Sequence, residues 1–317
     1  MSLSPFLFPP AVASRDHPGR PIVQRNETRQ FVSRQETKGD AYMTEPTDIS
    51  RRAFVGGTAV AAAAATIATA AQGAAPPPAP AGQKVPTIFA SGGGFFPQAW
   101  ETSLMPEYLL GLSGSKRPKI CWLGPASGES AANFETFARG METHPCEVRH
   151  FNIYQPETLD FANYLMGMDI VFVGGGSTRN MMTLWRDWGF DKALKTAWEA
   201  GVVMSGGSAG LICWFQSGLT DSFPKVLAPV GGLGFLPGST NPHYNVRPDR
   251  ISQYRKFIAD GSIDSPGIAL ENDAAVLYRG TEMVEIVSTR KAAKAFRLTR
   301  TATGFEEVPL PVRYLGV

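Results

Sequence analysis

The chain has 317 residues with 30 Lys and Arg against 28 Asp and Glu, and its surplus of positive charge lies within the first 52 residues. The balanced remainder excludes the basic stripe with which nucleic-acid-binding proteins hold phosphates. Three widely spaced cysteines, Cys121, Cys146 and Cys213, offer neither a disulfide framework nor zinc-ligand spacing, so neither a metal nor another cofactor is expected.

Residues 1–42 are polar, rich in Arg, Gln and Pro, and aperiodic, which reads as disordered sequence upstream of a natural start at Met43. Ser50-Arg51-Arg52-Ala53-Phe54-Val55 and the alanine-rich run Thr58 to Ala71 then form the pattern of a twin-arginine export signal. That run is too short and too weakly apolar for a stable membrane span. Ala68-Thr69-Ala70 suits signal cleavage, and Ala74 to Ala81 would make a stiff Pro/Ala spacer. The expected division is therefore 1–42 upstream, 43–81 signal and linker, and 82–317 folded. The twin-arginine machinery is the expected partner, and the periplasm or exterior the expected location.

From Val85 onward short apolar runs alternate with helical patterns. Strands are expected at Thr87 to Ser91, Lys119 to Leu123, Glu147 to Ile153, Asp169 to Val173 and Val202 to Ser205, with helices near Glu129 to Glu142, Thr178 to Trp188 and Phe190 to Ala200. This βαβα order implies an α/β fold with a mostly parallel sheet between helices. Beyond a further helix after Ser208, the runs Gly267 to Leu270, Ala274 to Tyr278, Met283 to Val287 and Ala295 to Leu298 are close-spaced and suit antiparallel edge strands.

Ligands of open α/β sheets gather at the carboxyl ends of strands. Three glycine-rich loops stand there: Ser91-Gly92-Gly93-Gly94, Gly174-Gly175-Gly176-Ser177, and Gly206-Gly207-Ser208-Ala209-Gly210. The last is a Gly-x-Ser-x-Gly elbow between a strand and a helix, which exposes a serine hydroxyl at a helix N-terminus. The backbone N–H groups of Gly174 to Gly176 and of Ala209 are candidate oxyanion donors. A phosphate site is disfavoured because no Gly-Lys-Ser/Thr follows any of the loops. A serine nucleophile needs a base. Of the histidines in the folded part, His144 lies in a turn and His150 in a strand, whereas His243 sits in the polar loop Gly238 to Asn245. Asp221, Glu271 and Asp273 are all placed to orient such a base, and spacing does not choose among them.

These residues resemble the peptidase E (aspartyl dipeptidase) and cyanophycinase family of serine peptidases. The resemblance runs from about Thr87 to Leu298, through Val173-Gly174-Gly175-Gly176-Ser177-Thr178, Gly207-Ser208-Ala209-Gly210, Thr220-Asp221, and Gly234-Phe235-Leu236-Pro237 leading to Asn241-Pro242-His243. It implies a class I glutamine-amidotransferase-like sandwich, Ser208 as nucleophile, His243 as base, and Gly175 and Ala209 as oxyanion donors. The family's acid after the nucleophile implies Asp221, with Glu271 as the alternative; a second acidic position falls on Glu271-Asn272-Asp273, where one register sets Asn272 at it. The resemblance further implies a short peptide substrate with an N-terminal aspartate, and Arg247 and Arg250 as the cations to hold its carboxylate. Alternatives are a cyanophycinase-like exopeptidase on β-aspartyl-arginine and a non-catalytic ligand-binding sandwich.

Overall fold

The computed structural model describes residues 75–78, 84–95 and 104–316, all within the compact unit Ile67–Val317. The upstream segment 1–42 and the expected twin-arginine signal lie outside the described residues. Of the expected Pro/Ala spacer, Ala75 to Pro78 are described: Arg279 donates to the Pro77 carbonyl at 2.5 Å and Arg313 to that of Ala75 at 3.5 Å. This piece of the spacer is tied to the folded body.

The body is built on β1 (Thr87–Ser91), α1 (Leu104–Leu112), β2 (Lys119–Leu123), α2 (Ala131–Met141), β3 (Glu147–His150), α3 (Phe161–Met166), β4 (Ile170–Val173), α4 (Thr178–Trp188), α5 (Phe190–Glu199), β5 (Val203–Gly207) and α6 (Ala209–Ile212). There follow β6 (Phe215–Phe223), β7 (Val226–Gly231), β8 (Leu236–Asn241), α7 (Pro248–Asp260), β9 (Gly267–Leu270), β10 (Ala274–Arg279), β11 (Glu282–Ser288), β12 (Ala295–Thr301), β13 (Gly304–Leu310) and β14 (Arg313–Tyr314). An eight-stranded sheet has the order β14-β11-β10-β1-β5-β4-β2-β3. From β1 to β3 all neighbours are parallel, while β10 and β11 join antiparallel at the other side.

Each central strand is apolar on both faces, as a sheet covered twice must be. Ile88 and Ala90 of β1, Cys121 and Leu123 of β2, and Val171 and Val173 of β4 point into one core with Leu165, Met181, Trp185 and Leu194 from α3, α4 and α5. Phe89, Ile120, Trp122, Ile170 and Phe172 alternate with them and point into the opposite core, against Tyr108 and Leu109 of α1 and Phe137 and Met141 of α2. Each fully buried Leu, Ile or Phe contributes about 1.5–3 kcal/mol relative to exposure, so the two-sided pattern fixes the register of these strands. Helix ends follow local chemistry: at α4 the Ser177 hydroxyl accepts from the Asn180 N–H at 3.3 Å, and Gly189 closes the helix in a left-handed conformation at φ 68°.

Two features depart from the sequence reading. The helix expected after Ser208 ends at Ile212, and the chain extends as β6 from Phe215. Tertiary bonds capture its end: Leu233 donates to the Cys213 carbonyl at 2.7 Å and Leu236 to that of Trp214 at 2.9 Å, which draws the segment into a second sheet. This six-stranded sheet, β13-β12-β9-β8-β6-β7, also takes Gly267–Leu270 and Ala295–Thr301, two of the strands expected at the edge of the main sheet. One face joins the first core through Phe215, Leu236 and Leu270. Tyr254 and Ile258 of α7 cover the other, over Leu219, Ala269 and Leu298. Among the described residues no helix is long and apolar enough to cross a membrane.

Candidate active site

Ser208 stands between β5 and α6 with φ 59° and ψ −111°, a left-handed conformation that costs a non-glycine residue on the order of 1–3 kcal/mol. The surroundings hold it there. Its N–H donates to the Ser91 carbonyl at 3.2 Å, and its carbonyl receives the N–H groups of Leu211 and Ile212 at 3.0 and 3.1 Å. A side chain at Gly210 would strike the Val173 carbonyl of β4, so the elbow packs onto β4 only with glycine at that position.

The His243 Nε2 lies 2.8 Å from the Ser208 Oγ, and its Nδ1 lies 2.7 Å from the Asn272 Oδ1. With the amide oxygen facing Nδ1, that nitrogen carries the proton, and Nε2 is left to accept from the serine hydroxyl. Burial holds the His243 pKa below its ordinary value; the hydrogen bond to Asn272 acts against this, Arg250 reinforces it, and Asp221 opposes it. The imidazole is therefore neutral near pH 7, the state a general base requires.

The β1 loop builds the floor beneath this pair. His243 donates its N–H to the Gly92 carbonyl at 2.9 Å, and Asp273 donates to that of Gly93 at 2.8 Å. Gly93 has φ +141°, and a Cβ there would lie 2.5 Å from both the Asn272 Oδ1 and the His243 Cε1. This loop brings the segments that carry His243 and Asn272 together at the end of β1, a role its sequence does not declare.

The two carboxylates expected from the sequence face elsewhere. Asp221, on an outward position of β6, pairs with Arg250 at 2.8 Å. Glu271 pairs with Arg290 at 2.9 Å and accepts the Lys294 N–H at 3.1 Å. Neither touches His243; the neutral Asn272 takes the position, in the short turn Glu271 to Asp273 between β9 and β10, with its side chain over Gly93. Asp273, the remaining candidate, also pairs with Arg290, at 3.0 Å.

The arginines expected to hold an aspartyl side chain are likewise committed. Arg250 is buried, and besides Asp221 it donates to the Asn241 Oδ1 at 3.1 Å and to the carbonyls of Pro242 and Leu219 at 3.2 and 3.4 Å. It locks the two residues that precede His243. Arg247 pairs with Asp249 on an exposed turn at the start of α7. Of the histidines set aside, His150 is bound to Glu129 at 2.7 Å, and His144 closes the turn after α2.

Gly175 faces Ser208 from the β4 loop, where a Cβ would lie 3.3 Å from the Ser208 Cβ. Among the described residues, no loop or turn backbone hydrogen bond uses the N–H of Gly175 or of Ala209. A cavity of about 320 Å³ opens between these groups and α2, and Ser208, His243, Gly174, Gly175, Phe95, Trp122, Phe137 and Phe172 are among its lining residues.

Comparison with known proteins identifies the family. Residues 88–286 match the model of peptidase family S51. The chain is 39% identical over 229 residues to the uncharacterized peptidase YgaJ of Bacillus subtilis (strain 168), which covers 72% of this chain and 99% of that protein. Among solved structures, a peptidase from an acI-B1 Actinobacterium superposes with a TM-score of 0.52 at 17% identity, over 71% of this chain and 97% of its own, which shows a shared fold. The anchors on which the sequence resemblance rested, from the Val173 loop to His243, all fall within the matched segment, and this chain belongs to peptidase family S51.

Proposed function

We propose that the protein is a serine peptidase that cleaves short peptides through an acyl-enzyme on Ser208. The observation that carries this reading is the continuous hydrogen-bonded line Ser208–His243–Asn272 on a strained elbow. The Ser208 Oγ attacks the peptide carbonyl carbon as its proton passes to the His243 Nε2, and the carbonyl oxygen becomes an oxyanion facing the N–H groups of Gly175 and Ala209. Collapse of this intermediate breaks the C–N bond, and His243 returns the proton to the departing amine. A water molecule, deprotonated by the same nitrogen, then attacks the ester and releases the acid and free Ser208. Asn272 orients the imidazole without adding charge.

The cavity volume lies at the low end of small-ligand sites, ~300–1,000 Å³, which favours a short substrate over a long one. The N-terminal aspartate preference rests on the family resemblance; the buried ties of Arg250 give it no geometric support. Export by the twin-arginine route rests on the sequence of Ser50 to Val55 and the alanine-rich run Thr58 to Ala71, and a signal-dependent shift of the protein out of the cytoplasm would test it.

The decisive experiment is labelling of the full chain with a small alkyl fluorophosphonate, together with turnover of a dipeptide panel, for the parent and for Ser208→Ala. Labelling and turnover present in the parent and lost in the variant are expected. A parent that neither labels nor turns over any peptide would leave a ligand-binding sandwich as the reading.

A further inference from the structure

The cavity beside the nucleophile has a chemistry of its own. Phe95, Trp122, Phe137 and Phe172 wall it; among the described lining residues, Ser208 and His243 apart, polar side chains come from Asn133 and Thr136 on the exposed side of α2 and from Ser91, buried at the end of β1 beside Gly207. The rings support one another: Phe172 meets Phe137 at 4.4 Å and Phe95 at 4.9 Å between centroids. Trp122 is held from behind by His150 at 4.9 Å, itself bound to the buried Glu129. Such a wall exists before any ligand arrives. No Lys, Arg, Asp or Glu is among the described lining residues.

Sheet order places the wall relative to the scissile bond. Phe172 and Gly174 belong to β4 and its loop, and Trp122 to β2; both strands lie on one side of β5, whereas β1 and β10, which carry the supports of His243, lie on the other. The leaving amine must face His243 to receive its proton, so the acyl side of the substrate extends over β4 and β2.

We infer that this aromatic cavity is the pocket for the side chain on the acyl side of the scissile bond, and that it selects an apolar or aromatic residue there rather than aspartate. An aspartate carboxylate would lose its water in the pocket without gaining a cation, an unfavourable exchange. A leucine or phenylalanine side chain would remove apolar surface from water on both partners. The inference rests on the serine-peptidase reading above and deepens it.

The test uses the full chain and peptides Xaa-Leu-amide, with Xaa Phe, Leu, Ala or Asp, each free and N-acetylated, alongside fluorophosphonate labelling of Ser208. We expect kcat/KM for Phe or Leu to exceed that for Ala and Asp by about tenfold to hundredfold. Thr136→Trp, which narrows the mouth from the exposed face of α2, should lower kcat/KM for Phe several-fold more than for Ala. Labelled Ser208 with Asp equal to or better than Phe and Leu, or a Thr136→Trp loss independent of side-chain size, overturns the pocket assignment and leaves the serine peptidase standing. Absence of both labelling and turnover overturns the two together.

Discussion

Replacing Asn272 tests the least expected feature of the site, a neutral amide where a carboxylate was anticipated. Its backbone is anchored independently of the side chain, because its N–H donates to the Asn245 Oδ1 at 3.0 Å and its carbonyl accepts from Arg290 at 3.2 Å. Asn272→Ala thus removes little more than the 2.7 Å contact to the His243 Nδ1. That bond becomes charge-assisted when His243 takes the serine proton, and bonds of this kind contribute about 1.5–3 kcal/mol. At ~1.4 kcal/mol per decade of rate, kcat/KM should fall roughly tenfold to hundredfold, mainly through kcat. Asn272→Asp works on the same atom in another way. A carboxylate within ~4–6 Å of an imidazolium raises its pKa by about 1–3 units. In the parent, burial holds the His243 pKa below its ordinary value of about 6.5, so activity should persist to mildly acid pH and disappear as the pH falls through that depressed pKa. In Asn272→Asp the acid limb of kcat/KM should move to higher pH, and the titration of His243 followed by NMR should move with it. Full activity in Asn272→Ala, coupled with a large loss in Asp221→Asn or Glu271→Gln, would refute the assignment and restore a carboxylate as the orienting group.

Three further outcomes follow from the same geometry. Asp221→Asn removes a charge that supports the imidazolium and leaves Arg250 uncompensated, so the acid limb should shift to lower pH with a smaller rate loss at pH 8 than in Asn272→Ala; an upward shift would contradict this. Arg250→Met removes four hydrogen bonds, two to the segment before His243 and two to Leu219 and Asp221 of β6, and because Asp221 is 56% exposed and can be rehydrated, the stability loss should be about 1–3 kcal/mol by urea unfolding. An unchanged midpoint would show that the buried guanidinium is dispensable. Gly93→Ala forces a Cβ onto His243 and Asn272 at a φ of +141°, and a displacement approaching 1 Å should cost on the order of a hundredfold in kcat/KM, while parent-like kinetics would show that the loop yields.

Much of the molecule is legible in its order of residues. Thr87 to Ser91 and Lys119 to Leu123 form strands over the ranges expected, because a run apolar on both faces has little alternative to a central parallel strand. The strand expected to reach Ile153 stops at His150, where pairing with β2 ends and the N–H of Phe151 closes onto the Trp122 carbonyl. The Gly-x-Ser-x-Gly pattern likewise announced Ser208, since the glycines that let a backbone pack this tightly are visible locally. His243 could be singled out because few histidines lie in polar loops at strand ends.

The partner of that histidine was beyond such reasoning. Asp221, Glu271, Asn272 and Asp273 all lay within plausible reach, and charge chemistry favoured a carboxylate. What excluded the carboxylates was arginine: Arg250 buries itself against Asp221, and Arg290 draws Glu271 and Asp273 the other way. The same contacts disarmed Arg250 as a substrate clamp. The second sheet and the aromatic cavity were also out of reach, since each assembles side chains far apart in the chain. Local sequence determined most of the elements and the elbow that presents Ser208, because those depend on neighbours within a few residues. Which groups meet the imidazole and the substrate was decided by tertiary packing, because hydrogen bonds and ion pairs compete for partners across the whole fold.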